Sequence, residues 1–345
     1  MKKKNIINLI RYYVEKNDSG FRNEAYDVAK DFNQSGDYQL AEYIMSLLSD
    51  VSTFVPQMEE NDNVFLERLT SSTSPLWLPD EVIKDLQGVE NAINHNIGIN
   101  KFLFEGRPGT GKTEAVKRLA TNIHREIFIV DFSSIIDSKL GQTQKNISSL
   151  FDELNNVTHP ERVLVLFDEI DAIALDRIDS NDLREMGRAA STLLKEFDGM
   201  NENIVLVATT NLFEKFDKAI IRRFDSVISF DRYGQDDLLE IAEHILNEYL
   251  QHFRMITKDI RLFRKILTLK QPIPYPGELK NIIRTSLAFS NPDDGKDYLR
   301  RLYITINGTI PNNLNVLKTQ GFTMREIEIL TNIPKSSVSR RLKEQ

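Results

Sequence analysis

Eight consecutive residues carry the clearest chemistry. Gly106-Arg107-Pro108-Gly109-Thr110-Gly111-Lys112-Thr113 meets the spacing G-x-x-x-x-G-K-[ST] at every fixed position. That pattern suits a polyphosphate. Glycines at 106, 109 and 111 let the backbone turn tightly and bring N–H groups onto phosphate oxygens with no Cβ in the way. A helix opening at the end of the loop adds its positive N-terminal dipole. Lys112 is placed to reach the outer phosphates, and Thr113 to offer its hydroxyl to Mg²⁺. With Glu114 added, Gly106 to Thr113 form the expected nucleotide-contacting segment.

A second acidic pair lies downstream, at the end of the apolar run Val163-Leu-Val-Leu-Phe167. A buried strand ending in Asp168-Glu169 sets two carboxylates at the carboxyl edge of a sheet, where α/β proteins bind ligands. Asp168 then joins Thr113 in the Mg²⁺ shell, and Glu169 polarises the attacking water of a hydrolysis. No N-K-x-D guanine-reading motif occurs, which favours ATP over GTP.

These residues need a scaffold, and the surrounding pattern predicts one. Short apolar runs at Lys101–Phe104, Ile127–Val130, Val163–Phe167, Ile204–Ala208 and Val227–Phe230 alternate with amphipathic helical stretches. Nearly continuous apolar strands separated by helices indicate a parallel sheet covered on both faces. The fold class expected is α/β, a P-loop nucleotide-hydrolase sheet followed by an α-helical lid, with an N-terminal helical bundle and a C-terminal helix-turn-helix. The boundaries predicted are 1–50 for the bundle, 51–77 for a linker, 78–233 for the α/β domain, 234–310 for the lid and 311–345 for the last module. In the bundle, Ile6, Leu9, Ile10, Tyr13 and Val14 form one helical stripe. Phe21, Ala25, Val28, Ala29 and Phe32 form a second, and Leu40, Ala41, Ile44, Leu47 and Leu48 a third. The linker is polar and Ser-rich, with one helical turn expected at Phe65-Leu66.

At this point the sequence resembles the AAA ATPases. Gly106 to Thr113, Asp168-Glu-Ile-Asp-Ala-Ile173, Ala208-Thr-Thr-Asn211 and Ala219-Ile-Ile-Arg222-Arg223-Phe224-Asp225 follow the order of that family's motifs, within Leu78 to Asn291. The resemblance implies Mg²⁺-dependent ATP hydrolysis by a homo-oligomer, usually a hexameric ring. It implies that Asn211 is the polar sensor beside the γ-phosphate. It implies that Arg222 and Arg223, adjacent before Phe as in the katanin and spastin branch, are arginine fingers serving the neighbouring subunit. Arg188 matches a segment near the subunit boundary. Lys139-Leu140-Gly141 takes the place of the pore loop, with lysine where polypeptide-threading members carry an aromatic.

The last stretch, from Leu314, resembles a helix-turn-helix DNA-binding unit. Thr323 is expected to cap its first helix, Asn332 to take the left-handed turn and Pro334 to open the second. Lys335, Ser336, Ser337, Ser339 and Arg340 would face a DNA groove. From Pro311 onward six basic residues meet three glutamates, so this stretch carries +3 while the rest of the −7 chain carries −10. Glu328 departs from the pattern, because such units carry a small residue where the helices meet. DNA binding, docking to a protein and a plain capping helix are the three readings of this module.

Composition narrows the rest. With 41% hydrophobic and 28% charged residues the chain can bury a sizeable core, which argues against long disorder. The absence of cysteine excludes disulfides, thiolate catalysis and Cys-ligated zinc. The five histidines lack metal-ligand spacing. No apolar run approaches the roughly 20 residues of a membrane span, and the basic start has no small-residue cleavage site. The expectation is a cytoplasmic ATPase without membrane contact. It remodels a macromolecular client, a protein, with the N-terminal bundle recruiting clients or a partner protease; the alternative is a DNA-associated ATPase, anchored by its C-terminal helix-turn-helix, in a mobile-element or defence setting.

Overall fold

The computed structural model describes residues 3–14, 18–35, 40–41, 44, 65–69, 75–136, 142–171, 183–253 and 256–343. Two compact units divide the chain, Met1–Asp62 and Asn63–Gln345. In the first, α1 (Lys3–Val14) packs against α2 (Asp18–Ser35). Ala25, Val28 and Ala29 of the second stripe are buried, and Asn8 Nδ2 donates to Glu24 Oε2 at 2.9 Å. Of the first stripe, Leu9 is half-buried while Ile10, Tyr13 and Val14 are exposed. Among the described residues α2 is the helix packed on α1, and it leaves these three side chains uncovered. Of the third stripe, Ala41 is buried, Ile44 half-buried and Leu40 exposed, while Leu47 and Leu48 lie outside the described residues.

The second unit is built on a six-stranded sheet in the order β1-β3-β4-β5-β2-β6. The strands are β1 (Leu66–Leu69), β2 (Lys101–Glu105), β3 (Glu126–Asp131), β4 (Val163–Asp168), β5 (Val205–Thr210) and β6 (Ser226–Ser229). All pairs are parallel except β1 with β3, which is antiparallel with Leu66 opposite Val130. The segment around Phe65-Leu66 is thus an edge strand rather than a helical turn. Glu153 anchors its start by accepting from the amides of Phe65 and Leu66 at 3.2 and 3.3 Å. β4 and β5 are buried almost throughout, as strands covered on both faces must be. One face is lined by α3 (Asp80–Asn94) and α4 (Lys112–Asn122), which share a core with Phe102, Phe104, Leu164 and Val207.

The topology puts three strand ends side by side. β5 lies between β4 and β2, so the residues just past Glu105, Asp168 and Thr210 meet at one carboxyl edge. Consecutive strands β2 and β3 are not neighbours, which opens the crevice that such sheets use for ligands.

The lid helices α9 (Gln235–Leu250), α10 (Ile260–Leu267), α11 (Pro276–Ala288) and α12 (Asp297–Asn307) follow; α5 (Phe132–Ile135), α6 (Gln142–Asn155), α7 (Leu183–Gly199) and α8 (Lys218–Ile221) precede them. The C-terminal helices α13 (Leu314–Thr319), α14 (Met324–Thr331) and α15 (Lys335–Arg341) have no separate core. Leu317, Ile327, Leu330 and Val338 belong to the same buried cluster as Leu246, Phe263, Leu279 and Leu299 of the lid. Polar contacts reinforce the join. Arg300 on α12 donates to Ile329 O at 2.6 Å and to Asn332 Oδ1 at 2.9 Å, and Lys265 on α10 pairs with Glu326 at 2.8 Å. No helix among the described residues is long and apolar enough to cross a membrane.

Candidate functional site

The loop after β2 turns through positive φ at Gly106, Gly109 and Gly111, and α4 begins at Lys112. Five of its carbonyls are taken by donors. Lys112 Nζ donates to Gly106 O at 2.6 Å and Arg107 O at 3.0 Å. Gly109 O accepts from Gly277 N at 2.8 Å, Thr110 O from the Tyr233 hydroxyl at 2.6 Å, and Gly111 O from Ala115 N at 2.9 Å. Behind the loop, Asp231 Oδ1 accepts from Arg107 N at 2.8 Å. Among the described residues, the amides of Gly109, Thr110, Gly111, Lys112 and Thr113 have no protein acceptor. Five successive free N–H groups at a helix N-terminus form a cradle for an anion. Gly277 also needs to be glycine: a Cβ there would stand 2.9 Å from Gly109 Cα.

Lys112 is nearly buried, and its third bond runs to Asn211 Oδ1 at 2.8 Å. Burial pushes this amine below its usual range, opposed by the carboxylates of Asp231, Asp168, Asp171 and Glu105. Asn211, just past β5, donates in turn to Glu169 Oε1 at 3.1 Å. Thr113 Oγ1 donates to the Asp168 carboxylate at 3.1 Å. Asp168 also accepts from Thr209 Oγ1 at 2.6 Å, and the same hydroxyl receives Glu169 N at 2.9 Å. Glu169 holds φ at +51°, which aims its side chain away from the strand line. Asp171 accepts from the Thr210 hydroxyl and from Asn211 N at 3.1 Å, fixing the backbone that carries Asn211.

Pro108, Gly109, Gly111, Lys112, Thr113, Glu114, Asp168, Glu169 and Asn211 therefore line one cleft of about 330 Å³. Gly106, Arg107 and Thr110 lie behind its lining, in the fold of the loop. The hydroxyl–carboxylate pair of Thr113 and Asp168 is a donor set of hard oxygens, which fits Mg²⁺. The cleft also holds residues that the sequence reading missed. Leu76, Trp77, Ile241 and Ile245 form an apolar end, with Glu248 and Lys280 at its rim. Trp77 stacks on His244 of α9, ring centroids 3.8 Å apart. A cleft with cationic, carboxylate and amide groups at one end and an aromatic wall at the other has the size and polarity of a nucleotide site.

Arg222 and Arg223 do not line this cleft. Both are exposed, and Arg223 makes a two-pronged pair with Asp198 at the end of α7, at 2.8 and 3.1 Å. Arg188 is exposed on α7. The expected pore loop, Lys139, Leu140 and Gly141, lies outside the described residues.

At the far end of the lid, Thr323 and Glu326 cap α14 reciprocally, and Asn332 takes φ +60° before α15. Lys335, Ser336 and Arg340 are exposed, while Ser337 and Ser339 are half-buried. Glu328 does not splay the helices. Its Oε1 accepts from Lys335 N at 3.0 Å, so it caps the helix that follows.

Comparison with known proteins agrees with this geometry. The family described as "ATPase family associated with various cellular activities (AAA)" matches residues 102–232. An uncharacterised AAA family ATPase of Sinorhizobium fredii is 35% identical over 152 residues, 44% of this chain and 45% of that protein. A putative 26S proteasome regulatory subunit homologue of Methanothermobacter marburgensis is 36% identical, covering 39% of this chain and 36% of its own. Proteasome-activating nucleotidase 1 of Halobacterium salinarum is 31% identical, covering 58% and 51%. The chain thus spans about half, or less, of the length of these relatives. The match takes in nearly all of β2 and runs through β6 with the amide cradle and the Asp168-Glu169 edge, so residues 102–232 of this chain are similar to the AAA ATPases.

Proposed function

We propose that this chain is a Mg²⁺-dependent ATP hydrolase that works as a ring of identical subunits and remodels a protein client. The observation that carries the reading is the run of contacts Lys112–Asn211–Glu169 beside the Thr113–Asp168 pair. Lys112 and the free amides of Gly109 to Thr113 neutralise and orient the phosphates. Thr113 and Asp168 would hold the magnesium ion, which when bound spreads the charge of the phosphate oxygens. Glu169 orients the attacking water and draws its proton, and Asn211 keeps that carboxylate in place. Arg222 and Arg223 lie outside their own cleft, which supports their service as fingers to a neighbour's cleft. A hexameric ring and a pore lined by Lys139, Leu140 and Gly141 belong to this reading. So does the division into a recruiting bundle (1–50), a linker (51–77) whose Leu66–Leu69 has joined the sheet as β1, an ATPase core (78–233), a lid (234–310) and a terminal module (311–345). The names of the proteasome-type relatives support a protein client, and a cytoplasmic setting belongs to the same reading. The test is phosphate release from ATP with magnesium, with a chelator, and with an unfolded protein added. Release that needs magnesium and rises with the protein is expected; no release from assembled chain would remove the reading.

One observation favours a second reading of the client. α15 follows a left-handed Asn332 and presents Lys335, Ser336, Arg340, Arg341 and Lys343 on its exposed side. That basic face suits duplex DNA, and the ATPase would then be anchored on DNA in a mobile-element or defence setting. Stimulation by duplex DNA instead of unfolded protein, with affinity falling steeply in salt, selects this reading.

A further inference from the structure

The phosphate loop is not held in shape by the α/β core alone. Two of its carbonyls are taken by groups on the lid side. Gly277, second residue of α11, gives its N–H to Gly109 O at 2.8 Å. Tyr233, just before α9, gives its hydroxyl to Thr110 O at 2.6 Å. In a planar trans peptide the carbonyl and the following N–H point in opposite directions. Fixing Gly109 O on Gly277 therefore turns the Thr110 N–H the other way, and fixing Thr110 O on Tyr233 does the same for the Gly111 N–H. These are two of the five amides left without a protein acceptor.

We propose that Tyr233 and Gly277 are positioning residues for the phosphate-binding amides, so that the lid side orients two of the cradle's five amides. The inference rests on the nucleotide-site reading given above. Its parts are built for the task. The Tyr233 ring packs edge-on to Tyr275, centroids 5.7 Å apart, which fixes where the hydroxyl sits. Burial, with Tyr275, Asp231 and Asp237 nearby, pushes the phenol well above its usual range, so it keeps its proton and donates. The approach at Gly277 admits no side chain, since a Cβ would press on Gly109 Cα at 2.9 Å and Gly109 O at 3.2 Å, backbone on both sides. Tyr233, the residue at the core–lid boundary, packs against the lid's buried cluster, so a lid that moves away takes both donors with it, and the loop carbonyls become free to rotate into the phosphate site. Phosphate affinity and lid position are then one equilibrium.

Tyr233→Phe is the sharpest test, because it removes one hydroxyl and leaves the ring against Tyr275. Calorimetric titration of the full chain with magnesium-ATP and with magnesium-tripolyphosphate reads the effect. Both affinities are expected to fall by the same factor, about two- to tenfold, the worth of one neutral hydrogen bond. Gly277→Ala should lose at least as much for both ligands. A structural role alone would lower the melting temperature and leave tripolyphosphate binding as in the unaltered chain; that result for Tyr233→Phe overturns the inference, even if Gly277→Ala fails to fold. An unaltered chain that binds neither ATP nor tripolyphosphate removes the nucleotide-site reading itself, which keeps the two failures apart.

Discussion

Asn211 Nδ2 donates to Glu169 Oε1 at 3.1 Å, joining the end of β5 to the end of β4. The amide has one orientation available, because its oxygen is taken by Lys112 Nζ at 2.8 Å. Asn211 thus ties Lys112 of the loop to Glu169, the carboxylate proposed to activate water. Asn211→Ala should leave ATP affinity within about threefold and lower turnover about ten- to a hundredfold, since a loosened base loses part of its effect. Steady-state phosphate release beside a nucleotide titration decides it; unchanged turnover would remove Asn211 from the mechanism.

The two ends of that contact run should fail differently. Lys112→Ala removes the loop's charge and its grip on Gly106 O and Arg107 O, so nucleotide binding is expected to be lost. Glu169→Gln keeps the hydrogen bond geometry and should bind ATP without turning it over. Equal loss of binding in both variants contradicts the division of roles.

Arg223 is paired with Asp198 and does not line its own cleft, so the proposed finger role requires a second copy. Arg223→Ala should bind ATP and lose hydrolysis. Mixing it with Glu169→Gln creates interfaces where an intact Glu169 faces an intact Arg223, and partial turnover should return. Phosphate release across mixing ratios, with sedimentation to confirm mixed rings, reads this. Wild-type turnover by dilute monomer would defeat service in trans.

The C-terminal helices bury Leu317, Ile327, Leu330 and Val338 in the lid core. Deleting residues 311–345 should therefore lower the melting temperature and cause aggregation, instead of leaving an intact ATPase. The DNA reading is better tested by Lys335→Glu with Arg340→Glu, which keeps Val338. Duplex DNA binding should fall at least tenfold and its salt slope should flatten. Unchanged binding assigns the basic face another use.

Glu326 carries a pH signature. Burial pushes its carboxyl up, but Lys265 and the capping bonds from Thr323 outweigh that and hold it below the ordinary carboxylate range. Its side chain is 9% exposed. A depressed carboxylate adds stability at pH above its unfolded value and loses it as pH falls through the folded one. Glu326→Gln should cost about 1–2 kcal/mol at pH 7 and much less near pH 3. Melting curves of both proteins across that range check the sign; a constant difference would mean the charge is irrelevant.

The phosphate loop and the Asp168-Glu169 edge were legible because their chemistry is local: spacing alone sets which atoms can converge. The central strands β4 and β5 were legible because each is an apolar run buried on both faces, and β2, β3 and β6 because each carries a shorter apolar run, though Val227 of β6 is exposed. β1 was not, since a four-residue edge strand with Glu67 and Arg68 at its centre has no such run. Trp77 and His244 were not, because nothing in either neighbourhood signals a partner far along the chain. Glu328 was misread for the same reason. Its small-residue rule concerns helix packing, whereas its actual role, accepting from Lys335 N, depends on where the next helix begins.

The stack of Trp77 on His244 has an experimental consequence. Trp77 is the chain's one tryptophan. All indole emission therefore comes from a single ring, pressed on a lid helix at the edge of the nucleotide cleft. Any separation of residues 75–79 from α9 will change the colour and intensity of that light. An unlabelled sample in a stopped-flow fluorimeter then reports lid movement directly, on the timescale of each turnover.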